Sequence, residues 1–268
     1  MSTLEKNRLV KLFSQKPGNL LSVFFTAGFP GVNDTRRIIR ALTAAGADLI
    51  EVGMPFSDPI ADGPTIQASN LRALDNGMTL DLLLSQLEGM RQETEVPVLL
   101  MGYINPVLQM GWEPFLSRAA AAGVDGLILP DLPIAEYEEE VKPLMQAHGL
   151  VNVFLITPQT SDARIRQIDA LSEGFIYLVS SDSITGKTGE VSATQVAYFE
   201  RISAMHLKTP TLMGFGIHNH ATYRTACAHT SGAIIGSAFI HLLDRATDLE
   251  TDIHSFVQSI RTPQPAQP

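Results

Sequence analysis

The chain has 268 residues, of which 45% are hydrophobic and 18% charged, so it carries a large buried interior and not the solvated faces of a charged bundle. Nineteen basic residues against 28 acidic ones leave a net charge of −9, and without a basic run nucleic acid and anionic membranes are poor partners. A lone cysteine, Cys227, excludes an internal disulfide; with no apolar run of about 18 residues and no signal-like N-terminus, the expected location is the cytoplasm.

Strand-like and helix-like segments alternate along the sequence. Leu4 to Ser14 is expected as an opening helix, with Leu4, Leu9, Leu12 and Phe13 on one side. Leu20 to Ala27 is strand one. Asn33 or Asp34 caps a helix through Ala45, stopped by Gly46. Leu49 to Gly53 is strand two. Helices over Thr65 to Leu74 and Leu80 to Glu93 lead to strand three, Pro97 to Met101. A helix from Pro114 to Ala122 precedes strand four, Val124 to Leu129, and one from Ala135 to Ala147 precedes strand five, Leu150 to Ile156. A helix from Ser161 to Leu171 leads to strand six, Phe175 to Val179. One from Ser192 to Met205 leads to strand seven, Thr211 to Gly214. Asn219 to Ala228 leads to strand eight, Gly232 to Ile235, and Glu250 to Ile260 is the last helix.

Eight apolar strands, each followed by a helix, are the pattern of a (β/α)8 TIM barrel, here with an extra N-terminal helix. An open doubly wound sheet is the alternative, and it usually has fewer strands. No linker or composition shift divides the chain, so residues 1–261 are expected as a single domain, with a disordered Pro/Gln tail at 262–268.

In a barrel the active site lies at the C-terminal strand ends. Strand two ends in Glu51, whose carboxylate is costly to bury without a partner or a task. The run Pro55 to Gly63 that follows carries Asp58 and Asp62. A strand carboxylate and a loop carboxylate suit acid–base chemistry. The plain alternatives stay open: Glu51 bonded to a hydroxyl in the core, and Asp58 and Asp62 holding turns. Barrels often bind phosphate after strands seven and eight. Gly214 and Gly216 let backbone approach a ligand, and Gly236-Ser237 open a candidate short helix, Ala238 to Leu243, whose free N–H groups suit an anion. The polar loop Ser180 to Gly189, with Lys187, reads equally as a lid or as an ordinary loop. Tyr177 reads as core. The histidines show no metal-ligand spacing, and His218 and His220 read as capping or surface residues; no metal is expected.

These residues carry a resemblance. Glu51-Val-Gly-Met-Pro-Phe-Ser-Asp58-Pro-Ile-Ala-Asp62-Gly-Pro-Thr-Ile-Gln67 resembles the signature of the tryptophan synthase alpha chains. The similarity continues through Phe175-Ile-Tyr-Leu-Val-Ser, Ile184-Thr-Gly186, Gly214-Phe-Gly-Ile217 and Gly236-Ser-Ala-Phe239, in order along essentially the whole chain. The resemblance implies retro-aldol cleavage of indole-3-glycerol phosphate to indole and glyceraldehyde 3-phosphate, without cofactor or metal. It implies a beta-chain partner carrying PLP, in an alpha-beta-beta-alpha heterotetramer, to which indole is channelled. Carried over by motif, Glu51 is the acid–base residue and Asp62 partners the indole N–H. Gly186, Gly216, Gly236 and Ser237 would hold phosphate. Phe24, Tyr177, Thr185 and Phe215 would line the pocket. Many members have an arginine shortly after strand six; here Ser181-Asp182-Ser183 stands there. Two other readings share part of the pattern: a sugar-phosphate isomerase or epimerase, which needs no Glu51 and Asp62 pair, and a barrel that only binds a partner.

Overall fold

The computed structural model describes residues 6–179, 193–214 and 216–263, with residues 193 and 194 described by backbone alone. Eight strands close a barrel in chain order, every neighbouring pair parallel. They are β1 (Leu20–Thr26), β2 (Leu49–Gly53), β3 (Val98–Met101), β4 (Gly126–Ile128), β5 (Val151–Ile156), β6 (Ile176–Val179), β7 (Thr211–Gly214) and β8 (Gly232–Ile235). The expected barrel is therefore the fold.

The two-residue period of a strand divides its side chains between two layers. Leu20, Leu49, Leu99, Ile128, Val151, Phe175, Leu212 and Ile234 fill the barrel interior. Leu21, Val23, Ile50, Val52, Leu100 and Leu127 face outward into the larger core under the helices. Both faces are dry, which is why the strands read as unbroken apolar runs.

Helix α1 (Arg8–Gln15) closes the N-terminal end of the barrel. Leu9 is fully buried among the interior residues, and the Phe13 ring lies 5.7 Å from that of Phe175. Asn7 caps the helix by accepting from Leu9 N–H, while its amide donates to the carbonyls of Asp125 (2.7 Å) and Gly149 (2.9 Å). One side chain thus fixes both the start of α1 and its seat beneath β4 and β5.

The outer layer follows as α2 (Thr35–Ala45), α3 (Pro64–Asp75), α4 (Leu80–Leu87), α5 (Ile104–Met110), α6 (Trp112–Ala122), α7 (Ile134–Glu136), α8 (Lys142–Ala147), α9 (Asp162–Leu171), α10 (Ala193–Ala204), α11 (His220–His229), α12 (Ser237–Arg245) and α13 (Leu249–Arg261). One wide turn of helix, Tyr137–Val141, joins α7 to α8.

Several bounds differ from expectation. The expected helix Leu80 to Glu93 ends at Leu87, because Gly89 takes φ +73° and only a single tight turn, Met90–Gln92, follows. β4 is three residues long, since Pro130 has no N–H to pair and Leu132 N–H already turns back to the Leu129 carbonyl. Helix α5 was not expected. Its cap comes from outside, with the Asp131 carboxylate accepting from Ile104 N–H at 3.1 Å, so the local sequence carries no start signal. Of the expected tail, residues 264–268 lie outside the described residues.

Candidate active site

A cavity of about 260 Å³ opens at the C-terminal ends of the strands. Phe24 of β1, Met101 of β3, Tyr177 of β6 and Ile234 of β8 form its apolar walls. Glycine makes the space at two interior positions. A Cβ on Gly214 would lie 2.2 Å from the Tyr177 hydroxyl oxygen, and one on Gly53 2.7 Å from Phe24 Cζ. Any larger residue would push these rings out of place.

Glu51 occupies an interior position of β2 and is completely buried. Ser22 Oγ donates to its Oε1 at 2.7 Å, and among the described residues its Oε2 has no partner. Burial pushes its pKa from the ordinary 4.5 to about 7, against the opposing pull of the Ser22 hydrogen bond. The register explains the direction of the side chain. Glu51 lies level with Phe24, whereas Ser22 lies level with Leu49, one interior step toward the closed end. The carboxyl therefore leans away from the mouth, and Glu51 is not among the residues lining the cavity.

Asp62 does line the cavity, from the loop between β2 and α3. Tyr103 holds this loop: its hydroxyl donates to Asp62 Oδ2 at 3.1 Å and accepts Ala61 N–H at 2.9 Å. The Phe56 ring stacks on Tyr103 at 5.3 Å. Gln67 adds a bond from its amide to the Asp62 carbonyl at 2.8 Å. Burial raises the Asp62 pKa and the Tyr103 bond lowers it. The Tyr177 hydroxyl is pushed well above its ordinary pKa, first by burial and then by the charges of Glu51 and Asp62. The tyrosine stands in the field of both carboxyls. Asp58 is exposed, and its carbonyl accepts from Ile60 N–H in a turn.

The opposite wall is backbone. Gly216, at φ +73°, and Gly236, Ser237 and Ala238 border the cavity. The start of α12 lies there, one residue earlier and the helix two residues longer at its end than expected, and no side chain caps it. The first-turn N–H groups and the helix dipole thus offer a positive end to a ligand.

Of the residues singled out from the sequence, Phe24, Asp62, Tyr177, Gly216, Gly236 and Ser237 border the cavity, with Glu51 beneath its floor. Thr185, Gly186 and Phe215 lie outside the described residues, as do Lys187 and Ser181-Asp182-Ser183. The sequence reading gave no role to Ser22, Tyr103 or Ile234, although strand parity puts Ser22 and Ile234 inside. Asn219, not a histidine, caps α11, in a reciprocal pair with Thr222. His218 is exposed, as the surface reading expected, and it also lines the cavity, which that reading did not foresee. His220 instead ties α11 to α13, its Nδ1 donating to the Ile260 carbonyl at 2.8 Å. Among the described residues no three His, Cys, Asp or Glu side chains gather as a metal site, and no helix is long and apolar enough to cross a membrane.

Comparison with known proteins agrees with this architecture. The sequence profile of the family described as "Tryptophan synthase alpha chain" matches residues 10–264. The tryptophan synthase alpha chain of Flavobacterium johnsoniae is 52% identical over 248 residues, covering 92% of this chain and 97% of that one. That of Parabacteroides distasonis is 52% identical over 237 residues, covering 88% and 92%. Among solved structures, the tryptophan synthase alpha chain of Legionella pneumophila superposes with a TM-score of 0.84 at 32% identity, covering 97% of this chain and 96% of that one. Tryptophan synthase of M. tuberculosis in an aminoacrylate-bound form gives 0.82 at 28% identity, covering 95% and 98%. The match runs through the strands, the cavity and both carboxyl-bearing segments: the chain belongs to the tryptophan synthase alpha chain family.

Proposed function

We propose that this chain is the alpha subunit of tryptophan synthase and cleaves indole-3-glycerol phosphate to indole and glyceraldehyde 3-phosphate, a carbon–carbon lyase step of tryptophan biosynthesis in the cytoplasm. The observation that carries the reading is Glu51: a carboxyl inside a closed barrel, beneath the cavity floor, with a pKa near neutrality. A group poised there can give and take a proton at physiological pH.

Cleavage needs two proton movements. The Glu51 carboxylic acid gives its proton to C3 of the indole ring, which becomes an electron sink. The hydroxyl on the adjacent side-chain carbon then loses its proton to the Glu51 carboxylate. Its oxygen forms the aldehyde carbonyl, and the electrons of the broken C–C bond return to the ring. Glu51 ends as it began. To reach the ring its carboxyl exchanges Ser22 for the cavity by rotating its side chain. Asp62 accepts from the indole N–H and stabilises the positive charge that develops on the ring. Phe24 and Tyr177, with Thr185 and Phe215, line the indole site. The amides of Gly216, Gly236 and Ser237, with Gly186, hold the phosphate. The chemistry consists of proton transfers by side chains, and no cofactor or metal is assigned to this chain.

The expected partner is the beta chain, which carries PLP and receives the indole, in an alpha-beta-beta-alpha assembly. Apolar side chains near the mouth support this. Ile60, on the Asp62 loop, is 89% exposed, and Leu108 of α5 is exposed as well. The test is to supply indole-3-glycerol phosphate with and without a beta chain. Equal amounts of indole and aldehyde are expected, faster with the beta chain. No indole in either case would reject the reading.

A further inference from the structure

The ligand proposed for this cavity bears a phosphate, yet the protein is acidic overall and Asp62 adds a carboxylate to the cavity wall. Among the described residues lining the cavity, His218 is the one side chain able to carry positive charge. Its ring is fixed. His218 Nδ1 lies 2.8 Å from the Gly216 carbonyl oxygen, and a carbonyl can only accept, so Nδ1 carries the hydrogen. Nε2 is then the nitrogen left to meet a ligand. In the neutral ring Nε2 accepts; when the ring takes up a second proton Nε2 donates, and the bond it then makes to an anionic oxygen is charge-assisted. The same hydrogen bond ties the ring to Gly216, whose backbone borders the proposed phosphate position. The backbone N–H of His218 is held separately by Thr222 Oγ1 at 3.1 Å, so the loop keeps its course when the ring is changed. The other histidine on this side, His241 of α12, is paired with Thr65 Oγ1 at 3.3 Å and does not line the cavity.

We propose that His218 is an anion-binding residue of this site, supplying the side-chain charge that the backbone amides at Gly216, Gly236 and Ser237 lack. The inference rests on the phosphate-ester reading above. It makes this wall selective for a dianionic phosphate ester over the corresponding alcohol.

The test measures binding of sn-glycerol 3-phosphate and of indole to the full chain by calorimetry, for wild type, His218→Ala and His218→Gln. Loss of one charge-assisted bond at an exposed position weakens glycerol 3-phosphate by roughly three- to tenfold in His218→Ala. His218→Gln, which keeps a donor but no charge, falls in between, and indole affinity is unchanged in both. Unchanged glycerol 3-phosphate affinity in both variants overturns the inference, as does a wild type that does not bind it. Indole release by the wild type separates the two claims. If release is normal while the variants bind glycerol 3-phosphate like wild type, only the His218 role fails. If the wild type releases no indole but its glycerol 3-phosphate affinity depends on His218, the lyase reading fails and the anion site stands.

Discussion

At the scale of single residues, the reactivity of Glu51 depends on how its carboxyl is held. Two effects oppose one another: burial favours the neutral acid, and the Ser22 hydroxyl favours the carboxylate, with burial the larger. Removing the hydroxyl in Ser22→Ala raises the Glu51 pKa further. The limb of the kcat/KM profile governed by Glu51 then moves to higher pH by roughly one unit. An unmoved limb would disconnect Ser22 from the acid. The same shift has a stability consequence. A carboxyl that stays protonated to about pH 7 rather than 4.5 contributes stability that is full below pH 4.5 and lost as pH rises through 7, about 3 kcal/mol in all. Glu51→Gln is expected to be the more stable protein in urea at about pH 8, with the gap closing toward pH 4.5; equal stability at both pH values would contradict a raised pKa. Asp62→Asn is expected to lower kcat/KM by about 10²-fold or more, read as indole release. Normal cleavage would remove Asp62 from the mechanism. Glu51 was legible in the sequence because it interrupts an apolar strand, whereas Asp62, in a polar loop beside Asp58, was singled out only by the family resemblance. The partner of Glu51 was not legible, since Ser22 is 29 positions away and meets it only through the β1–β2 register.

At the scale of elements, the two ends of the barrel have separate tasks. Helix α1 seals the closed end, where Leu9 and Phe13 complete the interior packing. Leu9→Ala is expected to cost about 2–5 kcal/mol in urea unfolding while leaving kcat/KM of the surviving fold unchanged, because the cavity lies at the opposite end. A large fall in kcat/KM at unchanged stability would contradict that division. Gly214 shows the reverse. Its absent side chain makes room for the Tyr177 ring, so Gly214→Ala is expected to lower kcat/KM by at least about tenfold as the cavity wall shifts. Wild-type kinetics would show the ring free to move elsewhere. The strands were readable as apolar runs bounded by glycine and proline, and the end of α2 by its glycine stop at Gly46. Helix α5 was hidden because Asp131, a residue of another loop, supplies its cap. The early end of α4 depends on one glycine, Gly89, whose left-handed backbone no periodicity reveals.

At the scale of the whole molecule, closure of the sheet converts eight separated strand ends into one rim. Residues from β1, β3, β6 and β8 and from three loops meet around a single cavity because the barrel has no edge. Counting strands was enough to reach the fold and to name the rim. It could not show that Glu51 rests beneath the cavity while Asp62 borders it, because both follow from side-chain direction and not from position in the chain. The account's central claim is that Glu51 moves the proton that breaks the C–C bond. It is tested most directly by measuring indole release and indole-3-glycerol phosphate binding together for Glu51→Gln. Abolished release with substrate affinity close to wild type is the predicted result. Near-normal turnover by that variant would contradict it.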